Sequence, residues 1–188
     1  DEYFDMLIKS RFIEMFGDPY INPKNERVPF LDCMEFNPGK TQVKMLSDDT
    51  IVSFVPMECV GTDGSIDVSQ TKMLGEVRSG YTYFRDNDVV FAKITPCFEN
   101  GKVAVVRNCI NGIGFGTTEF HVARPIVGKT NSTWLKYLLK SDSLRRLAST
   151  NMSGTAGQKR VQKPFFEKIC VGLPPITQQE LFAVFVEQ

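Results

Sequence analysis

Short runs rich in β-branched and aromatic residues, each ended by turn residues, fill the middle of this chain from Val28 to Val127. Residues of this kind favour pleated, half-buried strands. Asn-Gly and Asp-Gly pairs reverse the chain tightly and bring consecutive strands together antiparallel. The pattern therefore predicts a compact, mainly antiparallel sheet. The runs are TIVSFVPM, YTYF, VVFAKI, KVAVV and EFHVA, and the turn pairs are Asp63-Gly64, Asp86-Asn87, Asn100-Gly101 and Asn111-Gly112.

Apolar residues at helical spacing flank this β-rich region on both sides. The first stripe ends where Gly17-Asp18-Pro19 breaks the pattern, and the last follows a capping box at Thr177–Glu180. A further helix is predicted over residues 133–150, and a short helix or strand over 163–171. The apolar stripes are Phe4, Leu7, Ile8, Phe12 and Met15 at the start, and Leu181, Val184 and Phe185 at the end.

The predicted fold class is α+β: a mainly antiparallel β-rich domain with a few helices, flanked by N- and C-terminal amphipathic helix segments. The predicted boundaries are residues 1–16 for the first helix, 17–173 for the domain and 174–188 for the start of the next helix. The last helix is still running where the sequence stops, so we expect a module of a longer protein. Exposed apolar stripes usually mark interfaces, so these helices are expected to self-associate or to dock a partner.

The net charge of zero, from 22 basic and 22 acidic residues, hides an asymmetry. Residues 1–35 carry four basic and eight acidic side chains, whereas residues 136–168 carry eight basic and two acidic ones. A basic stretch is either a solvated face or a surface for a polyanion. No apolar run approaches the roughly 20 residues that a membrane span needs. The five cysteines include no C-x-x-C pair, which indicates reduced, mostly buried thiols in a cytoplasmic protein.

The segment MSGTAGQKRV, residues 152–161, lies inside the basic stretch and suits a phosphate, because glycines expose backbone N–H groups and Lys159-Arg160 adds positive charge. Its glycine spacing does not match that of a nucleotide-binding P-loop, and it follows a predicted helix rather than a strand. The run NGIGFGTTEF, residues 111–120, resembles a dinucleotide pattern but leads into a predicted strand rather than a helix. No cofactor is therefore expected.

A coherent catalytic site does not emerge from the sequence. His121 is the single histidine and falls within a predicted strand, where a structural role is the commoner one. The cysteines and this histidine lack zinc-ligand spacing, so no metal is expected. Asp48-Asp49 and the pair Asp86 and Asp88 are interpreted as turn carboxylates. We therefore expect a chain that does not catalyse.

Polar residues in the β-rich region provide a second set of binding candidates. Pro96 removes a ladder donor from the run FAKITPCFENGK, so this segment is predicted to lie at an edge or a bend. Asn100-Gly101 is equally well interpreted as a plain hairpin turn. The candidates are Lys93, Thr95, Asn100 and Lys102, with Thr117 and Thr118 after a flexible glycine run.

Five segments in one order resemble a known family. KSRFIEMFGDP, FAKITPCFENGK, GFGTTEFHVARP, MSGTAGQKRV and VGLPPITQQE look like the specificity subunit of type I restriction-modification systems. The resemblance implies one target-recognition domain between parts of two long helices that pack as a coiled coil. It also implies a non-catalytic DNA-recognition protein that reads one half of a bipartite site. A second recognition domain is absent from this sequence, so either the chain is truncated or a half-length subunit dimerises.

The resemblance implies double-stranded DNA and the methyltransferase and endonuclease subunits as partners. The apolar stripes of the end helices add a homodimer through these helices as a further expectation. Lysine and arginine would neutralise phosphates, and asparagine or glutamine would pair with adenine. Two alternatives stay open: a recognition domain fused to a methyltransferase or nuclease, and a small enzyme acting on a nucleotide. The residues predicted to bind DNA are Lys93, Thr95, Asn100, Lys102, Thr117, Thr118, Thr155, Gln158, Lys159 and Arg160.

Overall fold

A computed structural model describes residues 2–187, and Asp1 and Gln188, the outer limits of the predicted end segments, lie outside the described residues. The chain divides into two compact units, Asp1–Glu35 with Pro125–Gln188, and Phe36–Arg124. We call these the terminal unit and the central unit. The helices are α1 (Glu2–Phe16), α2 (Leu74–Val77), α3 (Ser132–Leu139), α4 (Asp142–Ser149), α5 (Lys163–Phe166) and α6 (Ile176–Val186).

Most strands are short and lie in the central unit. Short 3-10 turns at Phe30–Cys33, Thr41–Val43, Met57–Cys59 and Ile110–Gly112 connect some of them. The strands are β1 (Gly17–Asp18), β2 (Asn22–Pro23), β3 (Arg27–Pro29), β4 (Met34–Phe36), β5 (Ile51–Val55), β6 (Thr71–Met73), β7 (Thr82–Arg85), β8 (Val89–Ala92), β9 (Val103–Val105), β10 (Ile113–Gly116), β11 (Phe120–Pro125) and β12 (Cys170–Gly172).

Two four-stranded sheets, in the orders β6-β5-β10-β7 and β4-β11-β8-β9, contain the strands of the central unit. The pairs β8–β11, β8–β9, β5–β6 and β7–β10 are antiparallel, while β5 and β10 are parallel. The predicted mixed fold with a mainly antiparallel sheet is therefore confirmed. All five predicted runs contain a strand of the structure, because alternating apolar residues and turn pairs act locally.

Alternate residues of the first sheet enter two different hydrophobic clusters, as the two-residue period of a strand requires. On β5, Val52 packs into one cluster with Phe115, whereas Val55 packs into the other with Phe120 and Val122. These side chains are 0–2% exposed. Both faces of this sheet are therefore covered within the central unit.

The sequence predicted that the glycine run at residues 113–116 is flexible. In the structure these residues instead form strand β10, which lies between β5 and β7. Close packing explains its glycines. A Cβ at Gly114 would lie 2.2 Å from the ring of Phe84, and one at Gly116 would lie 2.5 Å from the carbonyl oxygen of Val55. Glycine is required there because neighbouring groups approach the backbone closely.

An aromatic cluster joins the end helices inside the terminal unit. The ring of Phe182 in α6 lies 5.4 Å from that of Phe12 and 5.6 Å from that of Phe16, both in α1. Tyr137 in α3 lies 5.3 Å from Phe182. The predicted α1 stripe is therefore covered only in part: Ile8 and Phe12 are each 3% exposed, whereas Phe4 is 44% and Leu7 45% exposed.

The predicted stripe of α6 is wrong. Phe182 is its buried aromatic residue, whereas Leu181 is 66% and Val184 56% exposed. Apolar residues occupy several faces of this helix, so spacing alone did not identify the packed one. The capping box is also wrong, since α6 begins at Ile176, after Pro175, without a side-chain cap.

The helix predicted over 133–150 is two helices, α3 and α4. Ser141 separates them, and its hydroxyl accepts a hydrogen bond from the backbone N–H of Leu144 at 3.2 Å. A serine cap of this kind starts a new helix. The segment 163–171 contains both α5 and β12. Among the described residues, no helix is long and apolar enough to cross a membrane.

Candidate nucleic-acid interface

The central unit places six of the predicted DNA-binding residues around one end of strand β8. The turn after β8 closes with hydrogen bonds from Ala92 N to Lys102 O, 3.0 Å, and from Lys102 N to Cys97 O, 3.1 Å. The N–H of Lys93 donates to the carbonyl of Glu119 at 2.9 Å. Because β8 pairs with β11, this turn lies beside residues 117–119. The two predicted groups, 93–102 and 117–118, are thus neighbours.

Three of these six side chains already have partners within the protein. The Lys102 ammonium donates to the carbonyl of Met57 at 3.0 Å, and the Thr95 hydroxyl donates to Glu99 at 2.7 Å. The Thr117 hydroxyl accepts from the N–H of Glu119 at 3.1 Å. These bonds hold the turns in shape and orient the three side chains, while each group keeps further donors or acceptors that a ligand could use.

The other three side chains have no such bond. Within residues 2–187, Lys93, Asn100 and Thr118 make no side-chain hydrogen bond or ion pair. Asn100 and Thr118 are exposed, and Lys93 is half-buried. Their donors and acceptors are therefore available to a ligand without cost to the fold. The assignment of all six to DNA stays a prediction.

The glycine segment forms a small hairpin in the terminal unit. Ser153 and Arg160 exchange backbone hydrogen bonds of 3.0 and 2.8 Å, and Gln158 N donates to Thr155 O at 3.0 Å. Gly157 has φ +79°, the value that the third position of a type II turn requires. The hairpin therefore uses the N–H groups of Ser153, Gln158 and Arg160 internally, and these three do not face a phosphate.

The side chains of the hairpin, like those of the central unit, divide into one with an internal hydrogen-bond partner and others without such a partner. The guanidinium of Arg160 donates to the carbonyl of Gln158 at 3.0 Å. In contrast, the exposed side chains of Thr155, Gln158 and Lys159 make no hydrogen bond or ion pair with any described residue. These four residues lie on one short hairpin, and their assignment to DNA also stays a prediction.

Internal ion pairs reduce the positive charge of the stretch 136–168. Lys140 is only 4% exposed and donates to Asp5 at 3.1 Å, while Lys9 contacts the same carboxylate at 2.8 Å. Burial alone raises the pKa of Asp5, but the hydrogen bonds from Lys9 and Lys140 outweigh it and leave that pKa below its ordinary value. Arg145 pairs with Asp142. The exposed Lys159 therefore contributes more to the unpaired positive charge of this surface than Lys140 or Arg145 does.

Residues set aside as non-catalytic have structural partners. His121 is 3% exposed, and its Nδ1 lies 3.1 Å from the side-chain nitrogen of Asn37. Asp88 serves as a turn carboxylate, accepting from the Arg85 N–H at 2.9 Å, and it also lies 1% exposed in a bidentate pair with Arg124. Asp48 pairs with Arg78 at 2.8 Å. No cluster of three or more metal-ligating side chains is found in the described residues.

The cysteines are all free thiols. Burial raises the pKa of Cys33 and that of Cys109 to about 12. Both are therefore protonated and unreactive at neutral pH. Only these two of the five thiols are buried, so the expectation of mostly buried thiols is wrong: Cys59 and Cys97 are half-buried, and Cys170 is exposed.

Sequence reasoning missed the internal partners that separate engaged from available side chains. Asp5 and Lys140 are 135 positions apart, and Lys102 and Met57 are 45 apart. No local pattern relates such pairs. The turn Thr155–Gln158, in contrast, has a local signal, since Gly157 occupies the position that favours glycine.

Comparisons with known proteins identify relatives of this chain. The type I restriction enzyme EcoEI specificity subunit of Escherichia coli is 44% identical over 140 residues, which are 73% of this chain and 23% of that subunit. The EcoAI specificity subunit of Escherichia coli is 42% identical over 148 residues, 78% of this chain and 24% of that subunit. This chain thus spans roughly a quarter of the length of these relatives. No protein-family model matches it.

Solved structures show the same fold. A chain from a type I restriction-modification system, solved to explain complex assembly and conformational transition, matches with a TM-score of 0.64 and 14% identity, over 100% of this chain and 44% of that one. The HsdS subunit from Thermoanaerobacter tengcongensis matches with a TM-score of 0.60 and 16% identity, over 100% and 43%. With the sequence relatives, this leads to one conclusion. The chain belongs to the family of type I restriction enzyme specificity subunits, as a homologue of about a quarter of such a subunit.

Proposed function

We propose that this chain recognises one half of a bipartite DNA site as the target-recognition domain of a specificity subunit or half-subunit. In this role it directs methyltransferase and endonuclease subunits to the site in the cytoplasm. The observation that carries the proposal is the 44% identity to the EcoEI specificity subunit over 73% of this chain. Free polar and cationic side chains on exposed turns, Lys93, Asn100, Gln158 and Lys159, support it because DNA contacts need such groups.

Methylation profiling tests this function directly. The complete subunit containing this chain is co-expressed with the methyltransferase subunit of its own system in cells that lack DNA methylation. We expect one bipartite motif to be methylated throughout the genome, and none in cells without the specificity subunit. An assembled complex that methylates no defined motif would contradict the proposal.

The proposed role is non-catalytic. The chain needs no cofactor for it, and the purified protein is expected to turn over neither ATP nor S-adenosylmethionine. The change in melting temperature on adding nucleotides or duplex DNA distinguishes this role from that of an enzyme acting on a nucleotide through the glycine hairpin. Stabilisation by DNA alone supports recognition, whereas stabilisation and turnover with a nucleotide alone would favour the enzyme.

The outer surfaces of the end helices are proposed to dock the methyltransferase subunit or a second copy of the chain. Although the inner faces pack together, apolar side chains remain exposed on α1 and α6, and such patches mark interfaces. Two symmetric copies would read a palindromic bipartite site. The exposed apolar residues are Tyr3, Phe4, Met6, Leu7, Ile13, Leu181 and Val184.

Charged substitutions on this surface test the docking. Phe4→Glu with Leu181→Glu adds charge at positions 44% and 66% exposed, so the fold is retained. We expect sedimentation to show loss of the dimer or of the complex with the methyltransferase subunit. Ile21→Glu, at a 59% exposed site outside these helices, is the matched control. A parent chain that stays monomeric, with a variant that still binds the methyltransferase, would refute the docking.

A further inference from the structure

The hairpin Ser153–Arg160 fixes the backbone of Gln158 on both sides and leaves its side chain free. The N–H of Gln158 donates to Thr155, and its carbonyl accepts from the Arg160 guanidinium, each at 3.0 Å. The side-chain amide is exposed and has no partner among residues 2–187. Both backbone polar groups are used, so only the side chain offers this residue's hydrogen bonds to a ligand.

The two arms of the hairpin lie very close together. A Cβ at Gly154 would come within 2.6 Å of the Gln158 carbonyl oxygen and 3.3 Å of the Lys159 Cα. Nothing lies within 4 Å of the Cβ position at Gly157. The ribbon is thus narrow, with its small turn residues open to solvent. The major groove of B-DNA, about 12 Å wide, admits a two-stranded ribbon.

The chemistry of the three polar residues differs. A glutamine amide accepts a hydrogen bond through Oε1 and donates one through Nε2, which matches the N6–H and N7 of adenine. Lys159 is a flexible point charge that suits a phosphate oxygen. The Arg160 guanidinium is folded back on the carbonyl of Gln158 and thereby restrains the residue that carries the amide.

We propose that this hairpin enters the major groove of the target half-site, that Gln158 determines specificity by pairing with an adenine, and that Arg160 is its positioning residue. Lys159 neutralises a neighbouring phosphate. This inference rests on the proposed function and goes beyond it by assigning base and phosphate contacts within one hairpin. Because the Gln158 backbone is already fixed, binding orders only its side chain, which lowers the entropic cost of the contact.

Methylation profiles of the complete complex carrying Gln158→Ala, Gln158→Glu or Lys159→Ala test the assignment. For Gln158→Ala we expect one A·T position in one half-site to become degenerate, with discrimination reduced about tenfold, or about 1.4 kcal/mol. Gln158→Glu is expected to shift the preference at that position towards cytosine, whose N4 amino group donates to a carboxylate. Lys159→Ala should leave the motif unchanged.

The second readout is the affinity of each purified complex, measured over a range of salt concentrations, for a duplex that carries the motif found by methylation profiling. Lys159→Ala is expected to lower the slope of log affinity against log salt by about 0.9, whereas Gln158→Ala leaves the slope unchanged. Arg160→Ala is expected to reduce discrimination between bases at the same position as Gln158→Ala does, also with no change in the salt slope. A role of Arg160 in folding alone would instead reduce affinity for all duplexes equally.

The results separate this inference from the proposed function. A parent complex that methylates no bipartite motif overturns the function. A parent motif that Gln158→Ala and Gln158→Glu both leave intact overturns the inference while the function stands. If Gln158→Ala abolishes methylation, affinities for duplexes substituted at each position decide: an equal loss on every duplex counts against base reading, and a loss confined to one position supports it.

Discussion

Removing the Asp88 carboxylate should destabilise the central unit more than most single substitutions. Asp88 and Arg124 are joined by two hydrogen bonds, Nε to Oδ1 at 2.8 Å and Nη2 to Oδ2 at 2.9 Å. Their side chains are 1% and 8% exposed. The N–H of Arg85 also donates to Oδ2 of Asp88 at 2.9 Å. Asp88→Ala therefore leaves the buried guanidinium of Arg124 without its carboxylate partner and the N–H of Arg85 without its acceptor.

The structure allows the magnitude to be worked out. Breaking one side of a buried ion pair costs about 3–5 kcal/mol, and one orphaned donor adds about 1–3 kcal/mol. We expect Asp88→Ala to lower the free energy of unfolding by about 4–8 kcal/mol. Natural domains have only about 5–15 kcal/mol in total, so this variant should be close to unfolding at 25 °C.

A double variant tests whether the cost comes from the unpaired charge. Asp88→Leu with Arg124→Met replaces the pair by apolar side chains, a change that is often neutral. The N–H of Arg85 then still lacks its acceptor, so the expected loss falls to about 1–3 kcal/mol. The double variant should thus be more stable than either single variant.

Urea denaturation followed by far-ultraviolet circular dichroism gives these free energies by linear extrapolation. Amide hydrogen exchange on β8 and β11 locates the loss in the central unit. A double variant as unstable as Asp88→Ala, or a single variant that loses less than about 1 kcal/mol, would refute the reasoning, because the charge would then be tolerated without its partner.

Three other consequences of the structure can be measured. Phe182→Ala removes the aromatic residue that joins α1, α3 and α6 and should lower the free energy of unfolding by about 3–5 kcal/mol; a loss below about 1 kcal/mol in urea denaturation would contradict the packing. Gly154→Ala places a Cβ 2.6 Å from a backbone oxygen across the hairpin and should accelerate hydrogen exchange at its paired amides, with little change in Tm. Burial raises the pKa of Cys33 and Cys109 from an ordinary value near 9 to about 12. Unfolded thiols therefore lose protons first, and stability should be complete below about pH 9 and fall as the pH rises towards 12; a decline that persists in a variant with both cysteines replaced by alanine would assign it to other groups.

The site residues show where local reasoning succeeds. The segments 93–102, 117–118 and 153–160 were identified because proline, glycine and polar side chains interrupt apolar periodicity, and each forms a turn or a hairpin in the structure. Whether Lys102 is available could not be predicted, since its partner is the carbonyl of Met57, which only the folded central unit brings within 3.0 Å.

The sequence by itself determined the strand runs, the helix α1 and the α+β class, because side-chain periodicity and turn residues act over a few neighbouring positions. Tertiary structure alone decided that residues 113–116 form a central strand, since the need for glycine at Gly114 arises from the ring of Phe84. It also decided that Phe182 is the buried face of α6 and that Asp5 neutralises Lys140 across 135 positions. Pairings between distant residues depend on how the elements pack, and local sequence does not record that packing.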